Sequence, residues 1–120
     1  MKVLLVDDSG LARRRVRQML EAEGYEVIEA EDGMVALERY FVDKPDLVLL
    51  DLVMRGMYGL EVLVKLRQLD PAARVVVVSA DVQDSSRQMV QDAGAHAFLI
   101  KPVDRDAMLA TVRDVLAEAR

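Results

Sequence analysis

Short apolar runs of branched residues recur along the chain, and this repetition constrains the fold more than any other feature. Runs of about four residues that are apolar throughout predict strands buried on both faces of a sheet. The second run is partly alternating, which is typical of an edge strand. The five predicted strands are residues 3–6, 25–28, 47–50, 75–78 and 98–100.

Segments with helical spacing separate these strands. Ser9 and Asp104 are placed as helix N-caps, and Gly24 and Gly94 lie where a helix would end. Strand and helix therefore alternate five times, which predicts an α/β fold with a parallel sheet, helices on both faces and right-handed crossovers. The predicted apolar helix faces are Ala12, Val16, Met19 and Leu20; Met34, Leu37 and Phe41; Val62, Leu63 and Leu66; Met89, Val90 and Ala93; and Met108, Leu109, Val112, Val115 and Leu116.

Composition excludes several classes of protein. The chain has 120 residues, so we expect one domain over residues 1–120. It contains no cysteine, which excludes disulfides and thiol chemistry, and its one histidine, His96, cannot form a multi-histidine metal site. A net charge of −5 argues against direct nucleic-acid binding. With no signal peptide and no apolar run of membrane-spanning length, we expect a soluble, cytoplasmic protein.

Polar side chains follow four of the predicted strands. The pair Asp7 and Asp8 follows the first strand, Asp51 the third, Ser79 the fourth and Lys101 the fifth. In a parallel α/β sheet the carboxyl ends of the strands form the ligand-binding edge. We therefore expect three carboxylates, a hydroxyl and an amine to converge there.

Three crowded carboxylates repel one another unless a cation neutralises them. Because only oxygen ligands are available, the predicted ion is Mg²⁺ or Mn²⁺. A carboxylate beside it could attack phosphorus to form an acyl phosphate, with Lys101 and Ser79 contacting the phosphoryl oxygens. Taken singly, each residue has another interpretation: Asp7 or Asp8 as a helix cap, Ser79 as a turn hydroxyl, and Asp51 or Lys101 as a solvated charge.

Four segments carry a family resemblance. They are Val6 to Ser9, Leu49 to Met54, Val78 to Ala80 and Ala93 to Pro102, with Asp32-Gly33 as a further match. In this order and spacing, over essentially the whole chain, they closely resemble the receiver domain of two-component response regulators. The resemblance implies a flavodoxin-like (βα)5 three-layer sandwich with strand order 2-1-3-4-5.

The resemblance also implies a role for each site residue. Asp51 is the phosphoacceptor for a histidine kinase or phosphotransfer protein, and Asp7, Asp8, Asp51 and the backbone carbonyl of Val53 hold Mg²⁺. Lys101 binds the phosphoryl group, Ser79 and Phe98 form the switch, and the Lys101–Pro102 bond is cis. The α4-β5-α5 face is the output surface toward an unknown partner, and the protein is a monomer or a phosphorylation-dependent dimer. Such a switch catalyses its own phosphorylation and dephosphorylation but is not an enzyme for an external metabolite.

The chain departs from the family pattern after Asp51. The family commonly has proline where Arg55 stands and often aspartate where Tyr58 stands, although Gly56 and Gly59 are present. These changes concern loop rigidity and partner fit. The apolar Val53 and the acidic Asp81 are expected to affect hydrolysis of the phosphoaspartate.

The first predicted helix carries four arginines beside the acidic edge. We interpret Arg13, Arg14, Arg15 and Arg17 as a solvated face, with a docking patch for the phosphodonor protein as the alternative. Met89, Val90, Phe98 and Met108 are interpreted as mostly core. No DNA-binding helix-turn-helix follows the last helix, so we expect a stand-alone receiver.

Three other functions were weighed. A Mg²⁺-dependent phosphatase with an aspartyl nucleophile usually carries a second acid two residues later, where this chain has Val53. A flavodoxin-like nucleotide or flavin binder would need a glycine-rich cradle where Asp7-Asp8-Ser9-Gly10 stands. A receiver-like interaction module that is not phosphorylated would not need the complete set of pocket residues.

Overall fold

The structure is a computed structural model that describes residues 1–54, 58–80 and 83–118. Arg55, Gly56 and Asp81, which the sequence analysis names, lie outside the described residues. No helix in the described part of the chain is long and apolar enough to cross a membrane.

Five strands alternate with five helices over the described residues. All strands are parallel, and their order in the sheet is β2-β1-β3-β4-β5. The predicted fold class, sheet order and edge position of the second strand are confirmed. The elements are β1 (Lys2–Val6), α1 (Gly10–Ala22), β2 (Glu26–Ala30), α2 (Gly33–Asp43), β3 (Leu47–Asp51), α3 (Gly59–Leu69), β4 (Val75–Ser79), α4 (Asp84–Asp92), β5 (Ala97–Ile100) and α5 (Arg105–Ala117).

The sheet separates two hydrophobic cores because successive side chains of a strand point to opposite faces. On β1, Leu4 and Val6 pack into one core together with α2, α3 and α4. Val3 and Leu5, which alternate with them along the strand, pack into the other core with α1 and α5. All four are buried. A strand buried on both faces must be apolar at every position, which is why the central strands appear as continuous apolar runs.

Strand ends differ from the predicted ones where backbone pairing continues past the apolar run. The second strand ends at Ala30 rather than Ile28, because β2 stays in register with β1 up to the pair Val6 and Ala30. Likewise, Asp51 and Ser79 are the last residues of β3 and β4. The sheet itself therefore positions both side chains.

The predicted helix caps are confirmed. Ser9 and Asp104 each accept a hydrogen bond from a backbone N–H of the first helical turn, at the start of α1 and α5. Gly24 and Gly94, at φ of 89° and 100°, have the left-handed backbone that glycine favours after a helix. The sequence analysis missed the cap of α2, where the Asp32 carboxylate accepts from the N–H of Val35.

The predicted apolar face of α2 is wrong for Met34 and Phe41, although Leu37 packs against the core as predicted. Met34 and Phe41 are 67% and 45% exposed, whereas Ala36 and Tyr40 are buried. The Tyr40 hydroxyl also donates to Asp70 Oδ2 at 2.6 Å, a polar contact that hydrophobicity alone does not indicate.

Burial near the β5 edge was also overestimated. Residues of β5 are only partly buried, since an edge strand has a neighbour on one side. Met89, expected to be mostly core, is 51% exposed on α4, and Phe98 is partly buried. Val90 and Met108 are buried as predicted.

Gly59, the first residue of α3, packs directly against the end of β3. A Cβ atom here would overlap the backbone oxygen of Asp51 and lie 2.7 Å from Leu52 Cα. We expect Gly59→Ala to lower the free energy of unfolding by about 2 kcal/mol, because neither backbone can move freely. Chemical denaturation measures this change.

Gly10→Ala is the matched control for Gly59→Ala. A Cβ at Gly10 meets nothing closer than Arg13 Nη2 at 3.7 Å, an ordinary contact. Alanine at that helical position should leave stability unchanged or raise it slightly. Equal stabilities for the two variants would contradict the close packing at Gly59.

Candidate functional site

The ends of β1 and β3 bring three carboxylates together. One oxygen from each of Asp7, Asp8 and Asp51 lies within 4.8 Å of the others. Asp7 and Asp51 are each only 6% exposed, while Asp8 is exposed at the rim. β1 and β3 are adjacent in the sheet, so the convergence predicted from the strand ends is present in the structure.

Lys101 joins this cluster from the end of β5. Its Nζ donates to Asp7 Oδ2 at 3.0 Å and to Asp51 Oδ2 at 3.1 Å. The backbone N–H of Lys101 donates to the carbonyl of Ser79 at 2.9 Å, and the Lys101–Pro102 peptide bond is cis. The lysine therefore reaches both buried carboxylates from across the sheet.

Backbone donors orient the two buried acids. The N–H of Ser9 donates to Asp7 Oδ1 at 2.9 Å, and the N–H of Val53 donates to Asp51 Oδ1 at 3.2 Å. The N-cap of α1 is Ser9, so neither Asp7 nor Asp8 is used as the helix cap. In each buried acid, one carboxylate oxygen therefore accepts a hydrogen bond from a backbone N–H and the other accepts one from Lys101.

Burial and pairing act in opposite directions on the ionisation of this cluster. Burial raises the pKa of Asp51, and the hydrogen bond and charge of Lys101 only partly oppose that shift. Burial by itself would lower the pKa of Lys101, but its hydrogen bonds to Asp7 and Asp51 raise it. Lys101 is therefore firmly protonated, and a further cation would favour the ionised form of Asp51.

The remaining predicted residues are Ser79, Val53 and Phe98, which lie at different distances from the cluster. Ser79 is fully buried at the end of β4, one position beyond Val78, which pairs with Asp51. Val53 lies two residues beyond the end of β3, and its side chain is exposed. Phe98 lies farther away on β5, with the Arg87 guanidinium 5.2 Å from its ring centroid. The structure therefore places Ser79 and Val53 at the same edge of the sheet as the cluster, whereas Phe98 is partly buried on β5 against α4.

A cleft of about 390 Å³ borders the cluster on the α1 and α5 side of the sheet. Its lining includes the charged residues Asp7, Arg15, Asp51 and Lys101, and the other lining residues are mostly apolar, Leu5 and Met108 among them. An apolar wall reduces the solvation of the acids and strengthens electrostatic interactions at the site.

Two residues that support this site, Arg13 and Glu29, could not be recognised from the sequence pattern. Arg13 was assigned to a solvated face, but it is partly buried and forms an ion pair with Glu29 of β2 at 3.0 Å. Arg13 Nη1 also donates to the backbone carbonyl of Asp7 at 2.5 Å. Arg13 and Glu29 are 16 positions apart in the sequence. The one sequence signal for this contact is the charged residue Glu29 within a strand. Arg14, by contrast, is exposed as predicted.

The donor set fits a hard divalent cation. Its three carboxylates are opposed by one lysine, so with the acids ionised two negative charges remain uncompensated among these four side chains. Carboxylate oxygens are the ligands that Mg²⁺ prefers. Bound Mg²⁺ normally retains several waters, and the site is open to water on the side of the exposed Asp8. A thiolate or imidazole metal is not favoured by these ligands.

Comparison with known proteins identifies the family. The model of the response regulator receiver domain matches residues 3–113. The chain belongs to this family. Receiver domains are signalling switches that generally use Mg²⁺, and this chain has an acidic cluster formed by Asp7, Asp8 and Asp51. The resemblance stated from the sequence is therefore confirmed.

Relatives of this receiver domain include chemotaxis proteins. It is 36% identical over 116 residues to the chemotaxis protein CheY of Bacillus subtilis, covering 96% of this chain and 97% of that protein. It is 37% identical over 123 residues to the protein PilH of Pseudomonas aeruginosa, covering 97% and 98%. The chain is thus a receiver domain of the chemotaxis-like type.

Solved structures agree with this assignment. A CheY-like receiver domain from Methanospirillum hungatei superposes with a TM-score of 0.91 at 30% identity, over 96% of this chain and 92% of that one. A chain of the CheX-CheY-BeF3-Mg+2 complex from Borrelia burgdorferi gives a TM-score of 0.93 at 32% identity, over 98% and 90%. CheY-like receivers partner with histidine kinases and other proteins.

Proposed function

We propose that residues 1–120 form one phosphoacceptor switch of a two-component phosphorelay, acting in the cytoplasm. The observation that carries the proposal is the cluster of Asp7, Asp8 and Asp51, two of whose carboxylates share Lys101. The phosphodonor is a histidine kinase or a phosphotransfer protein. The switch acts as a monomer or as a dimer formed on phosphorylation.

In this proposal Asp51 is the nucleophile. One of its oxygens attacks phosphorus, a P–O bond forms, and the P–N bond of the phosphohistidine breaks with its electron pair left on the imidazole nitrogen. Lys101, already hydrogen-bonded to Asp51, is close enough to move to a phosphoryl oxygen and stabilise its charge. Hydrolysis of the acyl phosphate resets the switch, so the domain catalyses both its own phosphorylation and its dephosphorylation.

Asp7, Asp8, Asp51 and the backbone carbonyl of Val53 would hold Mg²⁺ or Mn²⁺. When bound, the ion supplies positive charge that offsets the acidic cluster and the incoming phosphoryl group. Val53 follows Asp51 by two positions and is apolar, so the chain has no acid there to act as the general acid of an aspartyl phosphatase.

The experiment that tests the function is phosphorylation of the wild-type chain with acetyl phosphate. Intact-mass spectrometry should show one added phosphoryl group in Mg²⁺ and none in EDTA. Addition of the group in EDTA, or no addition in Mg²⁺, would contradict the proposal.

The output step is proposed to pass from Ser79 to Phe98. Ser79 ends β4 beside the phosphoacceptor strand, and Phe98 lies on the neighbouring β5 against Arg87 of α4. A hydrogen bond from the Ser79 hydroxyl to the phosphoryl group would draw the end of β4 toward Asp51. The apolar Phe98 ring can fill the space released, which changes the α4-β5-α5 face toward its partner.

We expect Ser79→Ala to separate phosphorylation from this output change. The variant should still accept a phosphoryl group on Asp51, because Lys101 and the acids are intact. Beryllofluoride, a phosphoryl mimic, should then shift the NMR signals of Phe98 and Met89 much less than in wild type. Ser85→Ala, an exposed serine on α4, is the control and should respond fully. A full response from Ser79→Ala would exclude the hydroxyl as the coupling group.

A further inference from the structure

One arginine of α1 connects the acid pair to the neighbouring strand. The Arg13 guanidinium donates through Nη1 to the backbone carbonyl of Asp7 at 2.5 Å and through Nε to Glu29 Oε1 at 3.0 Å. The side chains of Arg13 and Glu29 are 19% and 29% exposed, so both are largely shielded from water. We call these two residues the Arg13–Glu29 pair.

Glu29 also accepts a hydrogen bond from a second arginine, Arg17. Arg17 Nη1 donates to Glu29 Oε2 at 2.6 Å, so each carboxylate oxygen of Glu29 accepts from a different arginine. The hydrogen bond from Arg17 is the largest effect that lowers the pKa of Glu29, and the one from Arg13 acts in the same direction. Glu29 therefore stays ionised at neutral pH and fixes where the Arg13 guanidinium lies.

The carbonyl that Arg13 contacts belongs to the peptide bond joining Asp7 to Asp8. That unit is planar, so the direction of the carbonyl also sets the direction in which the chain enters Asp8. The Asp7 side chain is already held by the N–H of Ser9 and by Lys101. Asp8 is exposed at the rim of the site, and the direction of this peptide sets where its side chain begins.

We propose that the Arg13–Glu29 pair positions the Asp7–Asp8 peptide so that both carboxylates face the same cation. The inference rests on the proposed function, since it assumes that these acids bind Mg²⁺. Arg13 does not touch the ion; it acts through the carbonyl of Asp7, and Glu29 acts through Arg13. Groups that orient metal ligands typically change metal affinity by ten- to a hundredfold when removed.

Charge and position predict opposite effects for Arg13. Removing a positive charge near an acidic cluster should by itself strengthen cation binding. Removing a positioning group should weaken it. The sign of the change in Mg²⁺ affinity therefore distinguishes the two roles.

The experiment compares Mg²⁺ dissociation constants by titration calorimetry or NMR for four chains. They are wild type, Arg13→Met, the double variant Arg13→Met/Glu29→Gln, and the control Arg14→Met. Arg14 is exposed on the same helix and carries the same charge. The double variant leaves the net charge unchanged. Melting temperatures in EDTA report folding, and the carbonyl ¹³C signal of Asp7 in metal-free protein reports its hydrogen bond directly.

We expect Arg13→Met and the double variant to weaken Mg²⁺ binding about tenfold and to shift the Asp7 carbonyl signal. Arg14→Met should bind Mg²⁺ as well as wild type or slightly better. The inference is overturned, with the proposed function intact, if Arg13→Met behaves like Arg14→Met. Absence of Mg²⁺ binding in wild type would overturn both.

If the methionine variants fail to fold, Arg13→Lys is the variant that tests the positioning role. It keeps the charge but offers one nitrogen in place of the two that contact Asp7 and Glu29. A smaller loss of Mg²⁺ affinity in the same direction supports the positioning role. An affinity equal to that of wild type contradicts it.

Discussion

Asp51→Asn should reduce Mg²⁺-dependent phosphorylation by acetyl phosphate to background. Asparagine keeps the shape of the side chain and one acceptor oxygen, which can replace one of the two Asp51 oxygens that accept from Val53 and Lys101. Its amide is not a nucleophile toward phosphorus. Because burial already disfavours the charge on Asp51, we expect the variant to fold as well as wild type. Intact-mass spectrometry with and without EDTA measures the effect.

Asp106→Asn is the control for this substitution. Asp106 lies in the first turn of α5 with a 90% exposed side chain, so its variant should gain one phosphoryl group as wild type does. If Asp51→Asn still gains one metal-dependent phosphoryl group, another residue is the acceptor.

Lys101→Met should destabilise the metal-free protein strongly. The Lys101 side chain is 28% exposed, and it contacts the side chains of Asp7 and Asp51, which are each 8% exposed when counted without the backbone. Without the lysine, two buried acids lie close together with their cationic partner removed, which should cost about 3 kcal/mol. In EDTA this corresponds to a drop in melting temperature on the order of 10 °C.

Mg²⁺ should restore part of the stability lost in Lys101→Met, because it supplies positive charge to the same carboxylates. The increase in melting temperature on adding Mg²⁺ should be larger in the variant than in wild type. Lys65→Met, on the exposed side of α3, should change neither quantity. Equal melting temperatures for wild type and Lys101→Met in EDTA would mean that the ion pairs contribute no net stability.

Much of the fold could be predicted because local chemistry and the global architecture agree. Central strands in a parallel sheet are covered on both faces, so they appear as unbroken apolar runs. The caps Ser9 and Asp104 and the terminators Gly24 and Gly94 use interactions within a few residues of their own helix. Errors arise where tertiary packing decides, as for α2, which buries Ala36 and Tyr40 and leaves Met34 and Phe41 exposed.

The same division holds for the site. That Asp7, Asp8, Asp51, Ser79 and Lys101 meet follows from their positions at strand ends, because parallel strands place all their carboxyl ends at one edge. The sequence alone therefore determined the alternating fold, the residues at that edge and, through the ordered motifs, the family. Only the tertiary structure decided that Lys101 bridges Asp7 and Asp51, and that Arg13 turns inward to Glu29 and the Asp7 carbonyl. Those contacts join residues far apart in the chain. Long charged side chains can reach several partners, and which partner lies within reach is set only when the sheet has formed.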